Sequence, residues 1–209
     1  MGDLTKDKFL QTTANLYNER FELYGRDVRT VGWGSHADQL LRFEVLFRNL
    51  DLKGKSFLDV GCGLGDLVPF LNERTNGDFQ YIGIDVAEKL VEYARHRHTS
   101  GNCNFLHGDL FSVEVPEVDI AVLSGALSFR TPEITEYAQQ TLDRMYLLSR
   151  EAACLNFLSK YADYELDKNE HYYPEEVFAW SRRISHRVNL FHDYPLYEFT
   201  IQLFHSKDE

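Results

Sequence analysis

The sequence has few features that would tie it to a membrane, a disulfide scaffold or a metal centre. No apolar run reaches the roughly 18 residues of a membrane span. The first residues lack the charged-then-apolar order of a secretion signal. Its three cysteines, Cys62, Cys103 and Cys154, are far apart, which indicates neither a disulfide framework nor a zinc site. We therefore expect a cytoplasmic protein with reduced cysteines, no bound metal and no membrane contact.

Basic residues are also scarce. The chain has 22 Lys and Arg against 33 Asp and Glu, a formal net charge of −11. Such a balance repels a phosphate backbone, whereas a nucleic-acid binder needs a basic face. We expect no nucleic-acid partner, although a local basic patch is compatible with the total.

The chain shows no internal repeat, low-complexity tract or linker, and 44% of its 209 residues are hydrophobic. This predicts a single domain over residues 1–209, with a helical cap over 1–50 and a core over 51–209. Within the cap, apolar side chains at three- and four-residue steps predict helices over 7–24 and 35–50. Ser35 is the expected N-cap of the second helix.

From residue 56 onward, short apolar runs alternate with helical segments. Because the runs are almost continuously apolar, they indicate a parallel sheet that is covered on both faces. The connection of 187–193 to 197–205 is too short for a crossover helix, so these two strands should pair antiparallel. The other predicted strands are 57–60, 81–84, 103–106, 120–123 and 153–157, and the other helices are 66–75, 86–98, 131–149 and 173–185.

Three successive strand ends carry the residues that a nucleoside needs. The first strand runs into the turn Gly61-Cys62-Gly63-Leu64-Gly65, where glycines let the backbone approach a ligand. Asp85 ends the second strand, and a carboxylate there can accept hydrogen bonds from both ribose hydroxyls. The third ends in Gly108-Asp109-Leu110-Phe111, which suits the edge and face of an adenine.

A nicotinamide-dependent oxidoreductase is the main alternative for such a turn. Its fingerprint places the last glycine at position 66, which here is Asp66. That charge would face a pyrophosphate. The sequence therefore favours an adenosyl cofactor without phosphates.

The segments Phe57–Asp66, Gly83–Asp85 and Gly108-Asp109 resemble the first three motifs of class I S-adenosylmethionine-dependent methyltransferases, and the likeness spans about residues 30–205. The resemblance implies a doubly wound α/β fold with a seven-stranded sheet whose last strand is antiparallel. It also implies S-adenosylmethionine as cofactor and S-adenosylhomocysteine as product. The implied cofactor-binding residues are Asp59, Gly61, Cys62, Gly63, Leu64, Gly65 and Asp66 near the methionine moiety, Asp85 at the ribose, Val86 beside it, Asp109 and Leu110 at the adenine, and Ser124, Gly125 and Ala126 near the sulfonium.

Residues 31–43 are similar to a stretch in a subset of bacterial methyltransferases of mostly unassigned substrate. Within it we predict cofactor contacts for Trp33, Gly34 and Arg42. Arg42 would pair with the methionine carboxylate, and Trp33 would lie over the cationic end of the cofactor. The alternatives are a packing role for Trp33 and a surface ion pair between Arg42 and Asp38.

Methyl transfer from a sulfonium is an in-line displacement, so alignment alone lowers the barrier by roughly 7–11 kcal/mol and a general base is optional. We predict His171 as that base, within a lid over 161–173. The alternatives are an exposed polar connection for the lid and core packing for Tyr17. The predicted substrate-binding residues are Tyr17, Phe129, Asn156, Tyr161 and Tyr172.

The segment after the fourth strand, residues 123–127, does not resemble the Asn-Pro-Pro-Tyr motif of nucleobase methyltransferases. No ligand set resembling that of catechol methyltransferases is evident either. These absences favour metal-independent methyl transfer to oxygen or nitrogen of a small metabolite, by a monomer or homodimer. The alternatives are a protein methyltransferase, whose acidic surface attracts basic tails, and a catalytically silent cofactor-binding scaffold.

Overall fold

A computed structural model describes residues 2–32 and 34–206, with side chains from residue 8 onward. The strands are β1 (Lys55–Val60), β2 (Phe79–Asp85), β3 (Cys103–His107), β4 (Val118–Leu123), β5 (Ser149–Leu158), β6 (Arg187–Phe191) and β7 (Glu198–Phe204). The helices are α1 (Gly2–Tyr24), α2 (His36–Leu46), α3 (Leu67–Thr75), α4 (Glu88–Arg97), α5 (Ile134–Leu148) and α6 (Pro174–Ile184), with a short 3-10 helix at Val28–Val31.

The strands form one sheet in the order β3-β2-β1-β4-β5-β7-β6. The first five strands in that order run parallel, and β7 runs antiparallel to both of its neighbours, β5 and β6. The predicted doubly wound fold and its antiparallel C-terminal hairpin are therefore confirmed.

Helices cover both faces of the sheet because successive strand residues point to opposite sides. Leu58 and Val60 of β1 pack in a cluster that includes residues of α5 and α6. Phe57 of the same strand packs in a second cluster, with residues of α2, α3 and α4. Both clusters are buried, as the continuously apolar strand segments predict.

The predicted helix over 35–50 begins as expected but ends earlier. Ser35 Oγ accepts a hydrogen bond from the Asp38 amide at 3.1 Å, which confirms the N-cap. The helix stops at Leu46, because the chain turns and Asn49 has a φ of +65°. Leu50 continues the apolar spacing from within that turn, and this made the predicted helix too long.

Helix α1 contacts both α4 and α5. The ring of Phe9 lies edge-on to Tyr137 of α5, with centroids 5.2 Å apart. Farther along α1, Phe21 contacts Tyr93 of α4 at 5.5 Å. Among the described residues, no helix is both long and apolar enough to cross a membrane.

Candidate functional site

A cleft lies at the carboxyl ends of β1, β2, β3 and β4, with α1 as a further wall. Its empty volume is about 1000 Å³, part of it open to solvent. The residues that line it come from these strand ends, from α1 and α2, and from the loops after β1 and β4.

The glycine turn after β1 forms the floor of the cleft. The amides of Gly61 and Cys62 both donate to the carbonyl of Ile84, at 2.9 and 3.0 Å, and hold the turn against β2. Gly61 has a φ of +75°, and a Cβ at this position would lie 2.5 Å from Ala126 Cβ. The turn thus packs directly against the loop that follows β4, which only a residue without a side chain allows.

Asp85, at the end of β2, is held by the neighbouring backbone. Its carboxylate oxygens accept the amide hydrogens of Gly63 and Ala87, each at 2.8 Å. Burial raises the pKa of this carboxyl, and these two hydrogen bonds act in the opposite direction. A carboxylate has about four acceptor positions, so Asp85 keeps capacity for ligand hydroxyl groups.

Asp59, at the end of β1, is buried beneath the glycine turn. The Tyr81 hydroxyl donates to its carboxylate at 2.7 Å. Burial raises the pKa of Asp59 to about 7, against the lowering effect of that hydrogen bond. A cation in the cleft would favour the ionised form.

Gln39 of α2 lies beside Asp66 in the wall of the cleft. Its Nε2 donates to the Asp66 carboxylate at 3.2 Å, and Arg97 also pairs with that carboxylate. The Gln39 side chain is buried, yet its Oε1 has no hydrogen-bond partner in the described part of the chain. Buried acceptors are almost always paired in folded proteins, so this atom indicates a ligand with a donor group.

Two further buried oxygens in the cleft lack partners among the described residues, Thr13 Oγ1 and Ser124 Oγ. Thr13 is on α1, and Ser124 follows β4. Sequence reasoning missed Gln39 and Thr13, because a polar residue on an amphipathic helix has no spacing signal of its own.

Most of the predicted site residues meet in this cleft. Gly34, Gly65 and Arg42 do not line it, and Trp33 lies outside the described residues. The predicted residues that line it are Asp59, Gly61, Cys62, Gly63, Leu64, Asp66, Asp85, Val86, Asp109, Leu110, Ser124, Gly125 and Ala126, together with Tyr17 from the predicted substrate set.

Arg42 is neither in the cleft nor on the surface. It is buried, and its guanidinium pairs with the buried Glu198 of β7 through two hydrogen bonds, one of them 2.6 Å long. Glu198 also accepts from Asn156 Nδ2 at 2.9 Å, and Asn156 Oδ1 accepts the Gly125 amide at 2.8 Å. Asn156, which is on β5, therefore holds the loop after β4 in place through this hydrogen bond. The contact of Arg42 with the methionine carboxylate stays a prediction, beside this internal ion pair.

Apart from Tyr17, the structure does not bring the predicted base and acceptor residues to the cleft, and those outside it are His171, Phe129, Asn156, Tyr161 and Tyr172. His171 is buried, and its Nδ1 lies 2.8 Å from the Ser159 carbonyl oxygen. The Tyr172 hydroxyl donates to the Leu127 carbonyl at 3.0 Å, while Tyr161 is exposed and donates to Glu175. Phe129 forms a β-bridge with Asn169. Segment 161–173 is thus paired through its backbone with the loop at 128–130, and none of it lines the cleft.

Within residues 2–32 and 34–206, no group of three or more His, Cys, Asp or Glu side chains is placed to hold a metal ion.

Known proteins resemble this chain in both sequence and fold. Residues 57–147 match a methyltransferase domain family. A Mycobacterium tuberculosis protein, named provisionally as a methyltransferase, is 34% identical over 154 residues, which are 70% of this chain and 90% of that protein. A fatty-acid O-methyltransferase of Mycolicibacterium smegmatis is 30% identical over 128 residues, which are 56% of this chain but only 46% of that protein.

Among solved structures, a magnesium protoporphyrin IX methyltransferase from Synechocystis with bound S-adenosylmethionine superposes with a TM-score of 0.70 at 18% identity, over 94% of this chain and 97% of that chain. This likeness concerns the fold. Together with the sequence relatives and the strand-end cleft, it establishes that the chain belongs to the class I S-adenosylmethionine-dependent methyltransferases, with S-adenosylmethionine as its cofactor.

Proposed function

We propose that this protein transfers a methyl group from S-adenosylmethionine to oxygen or nitrogen of a small metabolite, without a metal ion. The observation that carries the proposal is the continuity of the cleft. One cavity joins the polar strand ends to an uncharged wall formed by α1 and the loop after β4. A cofactor at the strand ends would face an acceptor held against that wall.

The strand ends offer a complementary partner for each part of the cofactor. Asp85 would accept the ribose hydroxyls, and Asp109 with Leu110 would contact the adenine. Asp66 and the unpartnered Gln39 Oε1 are acceptors, and they suit the ammonium of the methionine moiety. When bound, the cofactor supplies an electrophilic methyl group on a sulfonium.

The acceptor's lone pair forms a bond to the methyl carbon while the carbon–sulfur bond breaks, and that bonding pair remains on sulfur. A proton on the acceptor leaves to water or to a carboxylate of the cleft. The chain's main contribution is to align the acceptor and exclude water, an effect worth roughly 7–11 kcal/mol in well-oriented reactions.

The proposal is tested by incubating the protein with methyl-labelled cofactor and either small metabolites or cell protein, with and without EDTA. Label in the small-metabolite fraction is expected, at the same rate in EDTA. Loss of transfer in EDTA would contradict metal independence, and label in protein would favour a protein methyltransferase. Cofactor binding without transfer to either fraction would indicate a scaffold.

Asp85→Asn tests the cofactor site directly. The amide cannot accept from ribose as a carboxylate does, so cofactor binding should weaken by about 1.5–3 kcal/mol, the value of a hydrogen bond to a charged group. Calorimetric titration with S-adenosylhomocysteine measures this. Glu73→Gln, at an exposed position on α3, is the matched control and should bind normally. Unchanged affinity in Asp85→Asn would refute the assignment.

A further inference from the structure

The charges around the cleft are unevenly distributed. The charged side chains that line it are Asp59, Asp66, Asp85 and Asp109, all carboxylates at the strand ends. No Lys, Arg or His from the described residues contributes to the lining. An anionic acceptor would thus have to lose its hydration without a cation from this lining to compensate.

The remainder of the cleft has an apolar wall. Phe9 and Leu10 of α1, Leu127 after β4 and Tyr137 of α5 all line it. Tyr137 contacts Phe9 on one side and Phe111 on the other, with ring centroids 5.2 and 5.7 Å apart. The wall is therefore partly aromatic, and aromatic rings offer a large apolar surface to a ligand.

Thr13 is the polar group that α1 contributes to this wall. Its Oγ1 is buried and has no hydrogen-bond partner among the described residues. The neighbouring Thr12 is exposed, and its hydroxyl donates to the Lys8 carbonyl at 2.8 Å. A hydroxyl both donates and accepts, so Thr13 can pair with a hydroxyl or an amino group of a ligand.

We propose that the methyl acceptor is an uncharged small molecule with an apolar, ring-sized body, whose polar group hydrogen-bonds Thr13 Oγ1. This inference rests on the proposed function and narrows its substrate class. The bound sulfonium would attract an anion, but the lining supplies no basic side chain to hold a carboxylate. Carboxylate compounds are therefore expected to be poor ligands.

Three probes with the same toluene body test the charge preference. The protein saturated with S-adenosylhomocysteine is titrated calorimetrically with p-cresol, p-toluidine and p-toluate at neutral pH. We expect the two uncharged probes to bind at least about tenfold more tightly than p-toluate, a difference of about 1.4 kcal/mol. Equal or tighter binding of p-toluate, or no binding of any probe, would overturn the inference. Saturation with S-adenosylhomocysteine is measured first, so failure of the cofactor site is recognised separately.

Thr13→Val tests the hydrogen bond, because valine keeps the side-chain shape and replaces the hydroxyl with a methyl group. We expect p-cresol to bind about 3–10-fold more weakly, as loss of one neutral hydrogen bond predicts. Affinity for S-adenosylhomocysteine should not change. The control is Thr12→Val on the exposed face of α1, which should leave both affinities unaltered. Unchanged p-cresol affinity in Thr13→Val would remove Thr13 from the acceptor site.

Discussion

Asp59 is a carboxylic acid in surroundings that disfavour its ionised form. Burial raises its pKa to about 7, although the Tyr81 hydroxyl donates a hydrogen bond to it. Because this value lies above the ordinary 3.8, the folded chain binds more protons than the unfolded chain between about pH 4 and pH 7. The stability that this group contributes is therefore present at low pH and is lost as the pH rises through 7.

Asp59→Asn removes this pH dependence while keeping an oxygen for Tyr81. In cofactor-free protein, the free energy of unfolding of the variant relative to the parent should rise between pH 4 and pH 8, by at most about 4 kcal/mol. Urea denaturation at several pH values measures the difference. Asp85 is present in both proteins, and its charge is one of the causes that raise the pKa of Asp59. A difference that is constant with pH would contradict the raised pKa.

Single residues could be predicted where their position in a strand defines their role. Asp59, Asp85 and Asp109 lie in the last residues of apolar strands or just after them, and parallel strands end at one edge of the sheet. Arg42 shows the limit of this reasoning. Spacing rules find a partner within one helix turn, such as Asp38, whereas its carboxylate partner is Glu198, 156 positions away on β7.

At the scale of elements, the turn between β1 and α3 packs tightly against the loop after β4. Gly61 and Ala126 approach so closely that a methyl group on Gly61 would lie 2.5 Å from Ala126 Cβ. The same loop is held by Asn156 of β5, whose side-chain oxygen accepts a hydrogen bond from the Gly125 amide. The position of the cofactor turn therefore depends on β4 and β5 as well as on its own glycines.

Gly61→Ala should destabilise the protein far more than Gly25→Ala, although both glycines have positive φ. Gly25 has a φ of +60° and open space around it, so alanine there should cost only the backbone strain of about 1–2 kcal/mol. At Gly61 the clash with Ala126 adds to that strain. Urea denaturation compares the two, and Ala126→Gly should restore part of the loss in Gly61→Ala. Equal losses at positions 25 and 61 would contradict the close packing.

The elements themselves were largely predictable, because the strands are short, almost continuously apolar runs and the helices between them carry apolar residues at helical spacing. The end of α2 was not, since its apolar spacing continues through a turn that Asn49 makes in the left-handed region. For α1, Tyr17 was predicted to face a ligand, whereas Phe9, Leu10 and Thr13 were missed. An amphipathic pattern shows that one face is covered, but not whether a core or a ligand covers it.

For the whole molecule, the contacts of the N-terminal helices suggest that residues 1–50 and 51–209 behave as one unit. The buried pair of Arg42 and Glu198 joins α2 to β7. Asn18 of α1 accepts the backbone amide of Lys89, and Phe21 packs on Tyr93 of α4. These contacts link the predicted cap to β7, near one edge of the sheet, and to α4, which packs on β2 and β3 at the other edge.

The two tryptophans report on the two parts of the chain, since Trp33 belongs to the first by sequence and Trp180 is on α6. In Trp33→Phe and Trp180→Phe, the fluorescence of the remaining tryptophan should follow the same unfolding midpoint as far-UV circular dichroism. S-adenosylhomocysteine at 100 times its Kd should raise the free energy of unfolding by about 2.7 kcal/mol, and the two tryptophan signals should report the same increase.

Glu198→Ala, which removes the buried partner of Arg42, should lower both midpoints together, because breaking a buried ion pair typically costs about 3–5 kcal/mol. Separate midpoints for the two tryptophans would show that the cap unfolds without the core, and the single-unit proposal would then be wrong.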